Sequence, residues 1–147
     1  MIYLDYAATS LRKPEAVYRA VAHVLRQGAS VGRGGYPAAQ EAAAQVFSCR
    51  EALAELFDLP SEDGVAFTYN ATMALNMAIK GLCPDGGEAV ISGYEHNAVV
   101  RPLRALEARG VRTLVAAAPP FEPEAQLRAF RETITPRTSL VVCTQVS

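Results

Sequence analysis

Excess charge of either sign is missing from this sequence: 14 Lys and Arg stand against 15 Asp and Glu, a formal net charge of −1. The arginines are scattered and no like-charge block occurs, so no electrostatic footprint for a nucleic acid or an anionic membrane is visible. Long apolar runs are missing too. None approaches the roughly 20 residues that span a bilayer, and no signal-peptide pattern opens the chain. The expectation is a cytoplasmic protein with neither nucleic acid nor membrane as partner. Cysteine is scarce: Cys49, Cys83 and Cys143 lie far apart, without the CxxC or Cys/His spacing of a metal site. An odd number argues against a disulfide framework and suggests small buried thiols in a reducing compartment. No serine or cysteine sits in a nucleophile elbow. A dinucleotide fingerprint is absent as well, since Gly32-Arg33-Gly34-Gly35 neither follows a strand nor opens a βαβ unit.

What the sequence does have is apolar content and rhythm. Its 147 residues, 50% hydrophobic, suffice for one domain with a real core. Residues 1–60 read as a helical segment. A brief extended opening is followed by a helix from Pro14 to about Gly28, with Val17, Val21, Val24 and Leu25 on one face. The glycines around Arg33 make a flexible loop. A long helix then follows Pro37 and ends before Pro60. Residues 61–147 alternate. Strands are expected at Val65–Tyr69, Glu88–Ser92, Val111–Ala117 and Leu140–Thr144. Helices fall between them, after Asn70, from Ala98 to Arg109 and from Glu124 to Thr133. This spacing argues for βαβ crossovers and a parallel sheet with helices on its faces, an α/β fold in three layers.

Ligands of such sheets bind beyond the carboxyl ends of the strands. Three of those ends carry polar residues: Asn70 and Thr72, then Glu95-His96-Asn97, and finally Gln145 and Ser147. Asn70 is a preferred helix cap, and the helix it opens, stopped by Gly81, presents free N–H groups where a phosphate or carboxylate can sit. Thr72, Asn76 and Lys80 recur every four residues as one polar stripe. An ordinary capped βα unit and an anion site both fit these residues. His96 is similarly open between a capping residue and a catalytic one, whereas His23, inside the first helix, reads as structural. Of the only two lysines, Lys80 complements the end of its helix and Lys13 precedes a proline. Neither is an attractive Schiff-base residue.

Several of these stretches, in this order, resemble one family. Tyr3-Leu4-Asp5-Tyr6-Ala7-Ala8-Thr9 resembles the opening of class V aminotransferase-like enzymes of the cysteine desulfurase and selenocysteine lyase group. Phe67 to Gly81 is similar to the family's phosphate-binding turn and helix. Glu95-His96-Asn97-Ala98-Val99 is similar to the motif whose histidine stacks on the cofactor ring. Gly32-Arg33-Gly34-Gly35-Tyr36 is similar to a glycine-rich loop of one branch. The resemblance implies the large domain of a fold-type I enzyme dependent on pyridoxal 5′-phosphate. It acts on cysteine or a related amino acid, as a homodimer that passes sulfur to an acceptor protein. It assigns Asn70, Ala71 and Thr72 to the cofactor phosphate and His96 to ring stacking and proton transfer. Asn70 stands where the family usually has glycine, and Met73 where an acidic residue is common. Family members are much longer, so the resemblance implies a truncated, inactive N-terminal part. The Schiff-base lysine, the aspartate for the pyridine nitrogen and the sulfur-accepting cysteine would lie in the remainder. Another class V aminotransferase or lyase is the alternative within the family, and a non-catalytic binding or assembly domain the alternative outside it.

Overall fold

The computed structural model describes residues 2–144, which form two compact units, Met1–Phe67 and Thr68–Ser147. In the first, α1 (Glu15–Gln27) starts directly after Pro14 and α2 (Pro37–Leu56) carries its proline at the first turn, where a missing N–H costs nothing. Gly32 between them adopts a φ of 77°, a conformation that favours glycine. His23 bridges the two helices, its Nε2 lying 3.1 Å from Glu41 Oε1. Arg50 of α2 donates from Nε to the Glu62 carbonyl at 3.1 Å, holding a 3-10 turn at Glu62–Gly64 to this unit.

The second unit runs α3 (Ala71–Leu82), β1 (Glu88–Ser92), α4 (Asn97–Glu107), β2 (Arg112–Ala116), α5 (Pro123–Thr133) and β3 (Thr138–Val142). All strand pairs are parallel and the order is β2-β1-β3. Every residue of β1 is buried, as expected of a central parallel strand covered on both faces. The two-residue alternation divides the core. Ala89 and Ile91 pack with Ile79 and Cys83 of the α3 region and with Val99, Leu103 and Leu106 of α4, and Leu140 and Val142 of β3 join them. Val90 faces the opposite layer, where α5 packs on β1 and β2. The fold is thus the expected three-layer α/β/α arrangement. Ser139 is an extra residue in β3, because Glu88 pairs with Thr138 but Ala89 pairs with Leu140.

Three expectations need correction. Val65–Tyr69 forms no strand: Val65 is extended, but the segment enters no ladder among the described residues. Apolar, β-branched residues suit a strand, yet only a neighbouring strand makes one. Gly81 does not stop α3, which continues to Leu82. The stop comes from Pro84, whose ring disfavours helical geometry at the residue before it, and Cys83 accordingly has φ −97° and ψ 106°. Of the three free cysteines only Cys83 is buried, beneath the sheet's α3 layer. Cys49, on α2, and Cys143, just past β3, are exposed.

Candidate functional site

Chain direction puts the site together. Because β1 is parallel to its neighbours and α4 follows it, α4 starts at the carboxyl edge of the sheet; α3, which runs back toward the start of β1, starts at the same edge. β2 lies on one side of β1 and β3 on the other, so the chain order reverses at β1. A crevice at that reversal is where open parallel sheets hold ligands.

Asn70 is the N-cap of α3, its Oδ1 accepting from the Met73 N–H at 2.9 Å. The departure from glycine at this position therefore has a consequence: one of the helix's open N–H groups is already taken. Those of Ala71 and Thr72 keep no protein acceptor among the described residues, and the Thr72 hydroxyl is free beside them. His96 is the N-cap of α4. Its Nδ1 accepts from the Ala98 N–H at 3.0 Å, so a neutral ring carries its proton on Nε2, the nitrogen left free. The capping reading of His96 is thus correct as structure, and the cap fixes the ring's orientation.

Thr72 and His96 line one cleft of about 380 Å³ between α3 and α4, together with Asn76, Lys80, Asn97 and Arg101. The polar stripe of α3 faces into it. Arg101 was not among the residues singled out in the sequence. It stands four residues after Asn97, so the spacing rule that exposed the α3 stripe finds it on α4 as well. Neighbouring Glu95 locks the edge. Its carboxylate accepts from Ser92 Oγ at 2.5 Å, from the Thr144 N–H at 2.7 Å and from Thr144 Oγ1 at 2.8 Å, tying the exit of β1 to the exit of β3. Tyr94 reaches across to donate to the Ala118 carbonyl after β2. Gln145 and Ser147 lie outside the described residues. A separate cleft of about 310 Å³, in the N-terminal unit, is lined largely by apolar side chains such as Val24, Val46 and Phe67, with the His23–Glu41 pair at its wall. His23 keeps its structural role.

A parallel α/β unit with two helix N-termini and a capping histidine at its chain reversal is an arrangement shared by many ligand-binding folds rather than the mark of one protein. Comparison with known proteins narrows it. The sequence model of the Aminotransferase class-V family matches residues 2–147, and the chain belongs to that family. A probable cysteine desulfurase of Vibrio cholerae is 30% identical over 152 residues, covering 100% of this chain and 37% of that protein. Among solved structures, DndA from Streptomyces lividans superposes with a TM-score of 0.75 at 27% identity, over 99% of this chain and 41% of the other. The cysteine desulfurase CsdA from Escherichia coli gives 0.69 at 25% identity, over 91% and 35%. The chain therefore spans well under half the length of these relatives. No helix among the described residues is long and apolar enough to cross a membrane.

Proposed function

We propose that this chain is the cofactor-phosphate part of a cysteine desulfurase-like enzyme that works with pyridoxal 5′-phosphate. The observation that carries the reading is that Thr72 and His96, far apart in sequence, line one cleft at the carboxyl edge of the sheet. The residues fit the group: two unclaimed N–H groups, a free hydroxyl and a helix N-terminus meet at one point, and no carboxylate lines the cleft. Ala71 and Thr72 would hold the phosphate through N–H and hydroxyl donors, and Asn70 fixes the first turn that presents them. His96 would face the bound cofactor and could hold or move a proton at Nε2, its Nδ1 being occupied by the cap. When bound, the cofactor supplies an electron sink for breaking the carbon–sulfur bond of cysteine. The intact enzyme is a cytoplasmic homodimer that hands its sulfur to an acceptor protein. The Schiff-base lysine comes from outside these residues, so this chain alone does not turn over cysteine.

The test is cofactor binding by equilibrium dialysis. Thr72→Val removes one charge-assisted hydrogen bond without touching the core and should weaken binding about tenfold, which is about 1.4 kcal/mol. Pyridoxal without its phosphate should bind worse still. Equal binding of pyridoxal and its phosphate ester would remove the reading. In the same samples, sulfide released from added cysteine should match that of free cofactor.

A further inference from the structure

We propose that the α3–α4 groove is a binding site for a small polyanion of the diphosphate class, held by Lys80 and Arg101. Two rows of side chains at four-residue spacing line it: Thr72, Asn76 and Lys80 on α3, and Asn97, Arg101 and Ala105 on α4. The polar members of both rows are hydrogen-bond donors, and no carboxylate lines the groove. Lys80 and Arg101, like most arginines of the chain, have no ion-pair partner among the described residues; what sets these two apart is that they line one cleft. Two cations sharing one cleft without a counter-charge attract an anion. The helix N-termini add their positive ends at the Thr72–His96 mouth, whereas Arg101 lies in mid-helix and Lys80 in the last turn of α3, so these two side chains bring charge to the far part of the groove.

Size points to more than one phosphate. The cleft, about 380 Å³, falls in the range of small-ligand sites. From Thr72 to Lys80 the α3 row runs about 12 Å at 1.5 Å per residue. A single phosphate at the Ala71–Thr72 turn accounts for the mouth and leaves both cations to water. A second anionic group, further along the groove, is what their long side chains would hold. The inference goes beyond the cofactor reading and does not require it.

The experiment is an NMR titration of the labelled chain with inorganic pyrophosphate, and in parallel with inorganic phosphate, at about 0.15 M salt, where surface charges are screened. Pyrophosphate should shift the side-chain amides of Asn76 and Asn97 and the Arg101 Nε–H saturably, with a sub-millimolar midpoint. The double variant K80Q/R101Q should raise that midpoint at least about tenfold and keep the responses of Ala71 and Thr72. Both side chains are exposed, and each single variant carries the same comparison, with about a threefold rise, should the pair fail to fold. Responses confined to Ala71–Met73, or a midpoint unchanged in the variants, would overturn the groove. Loss of the phosphate response at Ala71 and Thr72, with the groove still responding, would instead count against the cofactor reading alone.

Discussion

Glu88 is 2% exposed, a carboxylate in the middle strand of the sheet. It accepts from Thr135 Oγ1 at 2.7 Å and Thr138 Oγ1 at 3.1 Å, and Arg112 lies 3.7 Å away. The Thr135 hydrogen bond, then that of Thr138 and the charges of Arg112 and Arg137, hold its carboxyl below the ordinary value of 4.5, against the opposing effect of burial. A carboxyl whose pKa is lower folded than unfolded stabilises the fold above the unfolded value, and that contribution disappears as pH falls through the folded one. The chain should therefore lose stability on acidification below about pH 4.5. Glu88→Gln should be less stable than wild type at pH 7 and lose less between pH 5 and 3, as read from urea midpoints. Parallel pH curves for the two proteins would refute this. In the sequence Glu88 merely opens an apolar strand. Its partners lie 47 and 50 residues away, beyond the reach of any local pattern.

Elements announced themselves where one residue type decides the geometry. Pro14, Pro37 and Asn70 mark helix starts because each sets its own backbone or supplies its own acceptor. β1 was legible to the residue, since a fully buried parallel strand leaves a continuous apolar run. Failures came where a partner decides: Val65–Tyr69 has strand composition without a ladder, and α3 ends at the demand of Pro84 rather than Gly81. At the candidate site Asn70, Thr72 and His96 were readable, whereas the bond between Glu95 and Thr144, 49 residues apart, was not. That bond yields a prediction for the β1 exit. Glu95→Ala strands a hydroxyl and an N–H of Thr144 and should cost about 1–3 kcal/mol. Amide exchange at Thr144 should accelerate by at least tenfold, and unchanged protection there would show that β3 does not depend on Glu95.

At the scale of the whole molecule, much apolar surface is uncovered. Tyr69, just before α3, is 94% exposed and Met77 of α3 56%, Val141 is 47% exposed on β3, and the outer edges of β2 and β3 are unpaired among the described residues. Val17, Val21 and Val24 likewise form an exposed stripe on α1. Such edges and faces recruit other chains. The purified chain should be a dimer or larger by light scattering at high concentration, and a clean monomer would contradict that. The strand order has a further consequence, for the timing of synthesis. β1 needs both neighbours, yet Thr135 and Thr138 leave the ribosome roughly 50 residues after Glu88, several seconds later at about 5–20 residues per second. For that interval the central strand lacks one neighbour, and of the partners of its carboxylate only Arg112 has been made. The hydrogen bonds that satisfy this buried carboxylate, and the second ladder of β1, are therefore completed only after β3 has emerged.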